Sequence, residues 1–181
     1  MKPIVQSLVV CLFALSPAFC RAVSPTYVHN FDEMYRSNPK IIEITNSNQT
    51  GTVEDDDITY TCSDGAQFFI SGSKLAIFLV ASGAQVVVSQ IQNLDSMVIY
   101  YSTDSKQHRL SVEISENGVD GWKSLEQSQV PGTIAKSVKL PSAGDYYVCL
   151  KKNVDNMYIM EIDYYCLDLS ACPNCFIYRP E

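Results

Sequence analysis

From Thr52 onward the chain alternates short runs rich in Val, Ile, Tyr and Leu with polar breaks. The runs are "DITYTC", "AQFFI", "KLAIFLV", "AQVVVSQI", "SMVIYYS", "HRLSVEIS", "SVKL", "DYYVCLKK" and "MYIMEIDYYCLDL". Between them lie "SDG", "SGS", "ASG", "NLD", "TDSKQ", "ENGVDG", "PSAG" and "NVDN". β-Branched and aromatic residues punctuated this regularly predict an all-β fold, an antiparallel sandwich or barrel. Period-two alternation sorts the faces. Leu110, Val112 and Ile114 share one face, with Arg109, Ser111, Glu113 and Ser115 on the other. Tyr146, Val148 and Leu150 point to the core, leaving Tyr147, Cys149 and Lys151 outside. In the last run Tyr158, Met160, Ile162 and Tyr164 lie on one face, opposite Glu161, Asp163 and Tyr165. Half-polar strands of this kind suit antiparallel sheets with one wet face. "KLAIFLV" and "QVVVSQI" are apolar on both faces, which predicts central strands or strands covered by the N-terminal segment.

Ahead of these runs the pattern changes. "VHNFDEMYRSNPK" predicts a helical turn or two ending before Pro39, with Tyr27, Phe31 and Tyr35 covering the core. "KIIEIT" (Lys40 to Thr45) predicts an early strand, and "NSNQTGTVEDDD" (Asn46 to Asp57) a polar loop. At the start, Lys2, an apolar run to Phe19 and the small-residue site at Cys20-Arg21-Ala22 read as an export leader. The apolar run is short for a membrane span. Lipidation at Cys20 is disfavoured, because Phe19 rather than a small residue precedes it. The expected organisation is a leader at 1–22, an N-terminal segment at 23–51 packing on the sandwich, the β-sandwich at 52–168 and a cysteine-containing tail at 169–181.

The chain has 181 residues, 46% of them hydrophobic, which suffices for one domain with a substantial core. A net charge of −7 argues against nucleic acid, whose binders need a basic stripe to release counterions. Export would place the protein outside the cell, in the periplasm or at the cell surface, where disulfides are permitted. Loss of the leader leaves Cys62, Cys149, Cys166, Cys172 and Cys175, an odd set, so one thiol stays free or links two chains. Cys172-Pro173-Asn174-Cys175 is one C-x-x-C knuckle, whereas structural zinc takes four ligands, usually from two. It also lies too near the chain's end to head the helix a redox dithiol requires. A structural staple among Cys166, Cys172 and Cys175 remains, its pairing open.

"SQIQNLDSMVIYYS", "RLSVEISENGVDGWKSLE", "SVKLPSAGDYYVCLKK" and "YIMEIDYY" resemble, over residues 85 to 166, the strand order of galactose-binding-like jelly rolls. These secreted β-sandwiches include many carbohydrate-binding modules, some beside polysaccharide-degrading enzymes of gut bacteria. Glu113-Ile114-Ser115 with Gly118, Gly121 and Trp122 supplies the hairpin, and Leu140-Pro141 with Tyr146-Tyr147-Val148 the next element. One departure is Cys149, where many such modules carry an arginine. The resemblance implies a jelly-roll sandwich and a non-catalytic module that recognises a glycan or polysaccharide.

Sugar recognition needs an aromatic face for the ring and planar polar groups for the hydroxyls. Tyr100, Arg109, Glu113, Tyr147, Lys151 and Asp163 on the wet face, and Trp122 in its loop, are the candidates. The same residues also suit a solvated face with cross-strand ion pairs, and Trp122 suits a turn anchor. "EDDD" (Glu54 to Asp57) is a candidate for the structural calcium many jelly-roll modules hold, although it reads first as a solvated acidic turn. No cofactor is otherwise expected. A catalytic base is scarce, with two histidines, His29 and His108, in the chain. Two other classes fit: a structural or protein-interaction sandwich, adhesin-like or disulfide-linked as a dimer, and a small carboxylate-based glycan-degrading enzyme.

Overall fold

The structure, a computed structural model, describes residues 24–37, 51–71, 74–81, 83–103, 110–129, 135–152 and 156–167. The leader, the "KIIEIT" run, Arg109, His108 and the Cys172–Cys175 knuckle lie outside the described residues. In chain order the elements are β1 (Tyr27–Asn30), α1 (Phe31–Ser37), β2 (Thr52–Asp55), β3 (Ile58–Ser63), β4 (Ala66–Ser71) and β5 (Lys74–Leu79). There follow β6 (Gln85–Thr103), β7 (Leu110–Ser115), β8 (Lys123–Ser124), β9 (Gln127–Gln129), β10 (Ala135–Lys152) and β11 (Met157–Cys166). Among the described residues no helix is long and apolar enough to cross a membrane.

Two long strands organise the rest. β6 and β10 pair antiparallel from Ala135↔Tyr100 to Lys151↔Gln85, and their register shifts between Lys139 and Val148. At the shift Gly144 faces Leu94, and Asn93 takes a left-handed φ of 53°. Both strands change outer neighbours there. The first half of β6 pairs with β3 and the second half with β11. The second half of β10 pairs with β7 and the first half with β9. One layer is therefore β2-β3-β6-β10-β7-β8, and the other is β4-β5-β11-β6-β10-β9 with β1 on β11. This is the expected antiparallel β-sandwich of jelly-roll type. The runs "NLD" and "PSAG", read as breaks between strands, are bends inside continuous ones. They meet at the single pair Gly144↔Leu94, with register shifts on either side. Asn93 N–H also donates to the Asp145 carboxylate at 2.9 Å.

The inner faces interleave Val86, Val88, Ile99, Val148, Leu150 and Ile159 with their neighbours in one cluster. Leu110, Val112 and Ile114 are buried as the alternation predicts. Burying such side chains stabilises the fold by about 1.5–3 kcal/mol each. Across the layers, Tyr60 of β3 meets Tyr164 of β11, their hydroxyls 3.0 Å apart. Tyr60 also hydrogen-bonds His29 Nδ1 at 2.7 Å and packs edge-on against Phe31. Phe31 is buried, with Tyr27 and Tyr35 packed against the core. Helix α1 forms because Asn30 Oδ1 caps the Glu33 N–H at 3.1 Å, with acidic residues in its first turn and Arg36 in its last.

Three expectations are corrected. Thr52–Asp55 is a strand rather than loop, closed onto β3 by a two-residue turn at Asp56 and Asp57, both with φ above 0 (48° and 64°). In β11 a register shift between Ile159 and Glu161 reverses the phase. Met157 and Ile159 face the core before it, Ile162 and Tyr164 after it, so Tyr158 and Met160 turn outward. Cys149 points to the outer side but is buried, because the strands on both sides close over so small a side chain.

Burial pushes the Cys62 thiol up to about 12 and that of Cys149 to about 11. Burial likewise raises the Tyr60 and Tyr164 hydroxyls above their usual 10.0. These groups stay neutral in the fold while the unfolded chain begins to lose their protons near the ordinary thiol value of 9.0. Their stabilisation is complete below that pH and is lost as pH rises towards 12. The urea midpoint should therefore fall steadily between about pH 8 and pH 11. A flat midpoint over that range would contradict the burial of these groups.

Candidate functional site

The bend at Asn93 and Gly144 divides the face expected to bind ligand. Tyr100 and Asp163 sit on adjacent strands of the β11 layer, where their side chains hydrogen-bond. Burial, and then the neighbouring Glu161 charge, raise the Asp163 carboxyl above its ordinary value, opposed by the Tyr100 hydrogen bond. Glu113, Tyr147 and Lys151 belong to the β7 layer. Lys151 Nζ donates to Glu113 Oε2 at 2.5 Å, which raises the lysine's pKa first through that hydrogen bond. Half-exposed pairs of this kind contribute about 0.2–1 kcal/mol. The residues expected to form one surface thus fall on two layers, and four of them pair off, Tyr100 with Asp163 and Lys151 with Glu113.

Tyr147 leads instead to the loop after β7. Ser115 Oγ accepts from the amides of Asn117 (3.3 Å) and Gly118 (3.1 Å) and donates to the Asp120 carbonyl at 2.6 Å. Asn117 Oδ1 accepts from the amides of Val119 (2.9 Å) and Asp120 (3.0 Å). The loop is held by its own short polar side chains, and Trp122 is half-buried at its end. Beside it lies a polar groove of about 360 Å³ lined by Glu116, Asn117, Asp120, Lys123, Ser142 and Tyr146.

A second groove, of about 350 Å³, opens on the outer side of the β11 layer. Its floor follows from register. Tyr158 pairs with Phe78 on one side and Ser102 on the other, so all three project outward at one level. The Phe78 and Tyr158 rings stack 4.2 Å apart and parallel within 1°. Phe69 of edge strand β4 leans on both, at 5.6 Å and 5.8 Å, and is 38% exposed. Met160, 42% exposed, and Lys74, Asn30, Asp32 and Ser102 complete the walls. Asp32 Oδ2 accepts from Arg36 at 2.7 Å, while its buried Oδ1 has no partner among the described residues. The sequence reading missed this cluster. Its signal was present in "AQFFI", "KLAIFLV" and "MYIMEI", but uninterrupted alternation put Tyr158 on the core face.

The "EDDD" run does not gather as a group. Glu54 and Asp57 are exposed, while Asp55 and Asp56 approach His29, one ligand atom from each lying within 4.8 Å of the others. Two carboxylates and an imidazole do not fit calcium, which takes six to eight oxygens. Burial lowers the pKa of His29, against the opposing pull of Asp55 and Asp56. Cys62, Cys149 and Cys166 carry free thiols among the described residues. The Cys149 Sγ lies 3.7 Å from Gln85 Oε1.

No family model matches the chain, and no curated relative is found. Solved structures similar to it include CpGH89CBM32-6, produced by Clostridium perfringens, at 18% identity and a TM-score of 0.43, covering 62% of this chain and 96% of that one. Another is a point mutant of CBM29-2, a family 29 carbohydrate binding module, at 12% identity and 0.43, covering 65% and 87%. A third is the low-affinity xylan binding module CBM86 from the gut symbiont Roseburia intestinalis, at 9% identity and 0.39, covering 67% and 97%.

Gly118 has a φ of 72°, and a Cβ there would meet the Tyr147 ring at 2.8 Å. Gly121 has a φ of 64° with nothing within 4 Å. Gly121→Ala should therefore lose only about 1 kcal/mol from left-handed strain. Gly118→Ala should lose roughly 1–3 kcal/mol more, because Tyr147 is forced off the loop. Urea unfolding of the two variants measures the difference, and equal losses would show that Tyr147 does not rest on the loop.

Proposed function

We propose that this chain is a secreted, non-catalytic module that binds carbohydrate in the groove floored by Phe69 and Tyr158, the latter backed by the stacked ring of Phe78. The observation that carries the reading is an aromatic floor on an outer sheet face, bordered by Lys74, Asn30, Asp32 and Ser102. Pyranose rings present apolar C–H faces to such rings, and their hydroxyls need donors and acceptors at the rim. Lys74 and Asn30 carry donors, and the Ser102 hydroxyl both donates and accepts. The leader pattern at 1–22 supports export, which would bring the groove to extracellular glycan. The polar groove beside Trp122 and Tyr147 lacks a comparable ring floor.

A second reading has its own observation. Met160 of the groove wall is exposed, as are Ile70 on β4 and Val80 just after β5, and β4 pairs on one side only among the described residues. An apolar margin at a sheet edge also suits a protein partner.

Screening the protein on an array of plant, microbial and host polysaccharides separates the two. Wild type should bind at least one class, and Tyr158→Ala should weaken that binding tenfold or more, about 1.4 kcal/mol. Tyr147→Ala and Trp122→Ala should leave it nearly unchanged. Loss in Tyr147→Ala or Trp122→Ala with Tyr158→Ala intact would move the site to the loop. Silence across the array would remove the carbohydrate reading and leave the protein-partner one.

A further inference from the structure

A different place in the molecule brings metal-ligating chemistry together. His29 on β1, Asp55 at the end of β2 and Asp56 in the following turn converge from parts of the chain that are distant in sequence. Each offers one ligand atom, and the three atoms lie within 4.8 Å of one another. His29 is fully buried, at 0% exposure, and its Nε2 has no hydrogen-bond partner among the described residues. A buried ring nitrogen without a partner is costly in a folded protein and calls for a ligand. Its other nitrogen, Nδ1, is engaged by Tyr60, which in turn meets Tyr164. That is the outer-shell arrangement metal-bound histidines use: one ring nitrogen on the ion, the other fixing tautomer and orientation through a hydrogen bond.

We propose that His29, Asp55 and Asp56 form a site for a divalent first-row transition ion of the zinc kind. One imidazole and two carboxylates suit such an ion better than calcium or magnesium, which favour oxygen alone. Zinc draws its ligand atoms to roughly 3.3 Å from one another, given bonds of about 2.0–2.2 Å. Asp56 sits on an exposed turn and has room to rotate the remaining distance, and the same turn gives the ion its route in. A fourth position is left to water. The ion would tie β1 to the β2–β3 hairpin, adding a bond between the two layers beside the tyrosine pair.

The test titrates chelator-stripped full-length protein with zinc chloride by calorimetry, with calcium chloride in parallel. Zinc should bind with one equivalent and raise the Tm by several degrees, whereas calcium at the same concentration should not. Asp56→Asn removes a ligand while keeping a residue that tolerates positive φ. It should leave the metal-free Tm unchanged and weaken zinc at least tenfold. Long-range ¹H–¹⁵N spectra should show His29 locked as the Nδ1–H tautomer in the zinc-bound wild type. Zinc bound equally well by Asp56→Asn would place the ion elsewhere, for example on the cysteines, and overturn the site. So would an unchanged His29 spectrum, binding of calcium in preference to zinc, or binding of neither.

Discussion

The pairing of β6 with β10 is the constraint on which the architecture depends. Each strand is long enough to serve both layers, and each bends where the other bends, at Leu94 opposite Gly144. Because the bend is shared, the strands keep the Gly144↔Leu94 pair between the register shifts and resume pairing on both sides of it. A bend in one strand alone would strand buried amides, at about 1–3 kcal/mol each. Every other element then takes its layer from the half it attaches to: β3 and β7 on one side, β11 and β9 on the other. Asp95 and Lys139 pair near the bend, and the Asp145 carboxylate accepts the Asn93 amide. Turn-forming residues here act as fold lines in a continuous sheet.

Much of this was legible in the residues, and the failures share a cause. Alternation placed Leu110, Val112, Ile114, Val148 and Leu150 correctly, because nothing interrupts the pleat there. It failed in β11, where one shift beside Met160 turned Tyr158 from the core to the surface. A bulge leaves no composition signal, yet it inverts every assignment on one side of it. The same limit explains the divided binding face. Tyr100 and Tyr147 both alternate outward, but on opposite sides of a bend that "NLD" and "PSAG" mark only as breaks. "EDDD" was legible as a turn but not as the partner of His29, since the approach depends on where β1 docks along β11.

Inside the sandwich the cross-layer contact is polar as well as apolar. Tyr60, Tyr164 and His29 bring hydroxyls and a ring nitrogen into a region with no exposure. Such groups cost stability unless satisfied, and when satisfied they define one register between layers more sharply than interchangeable aliphatic side chains do. Tyr60 is the hub, touching His29, Tyr164 and Phe31. The N-terminal segment is thereby tied to both layers: β1 adds to the edge of β11, and its histidine reaches across to β3. Residues Tyr27–Asn30 are a strand of the sandwich itself.

The aromatic groove exposes apolar surface in a way that helps decide between its uses. Phe69, Phe78 and Tyr158 lie on an outer face beside an edge strand, a place where such surface invites edge-to-edge association. Stacking Phe78 on Tyr158 hides one face of each ring, and Phe69 covers part of what remains. The cluster thus shields itself and leaves a concave strip rather than a flat apolar plate. A flat plate suits a large protein interface; a groove with rings bordered by Lys74, Asn30, Asp32 and Ser102 suits an amphipathic ligand. A sugar chain has that alternation of C–H faces and hydroxyls. The polar border of the groove, as much as its rings, is what the proposed carbohydrate reading rests on.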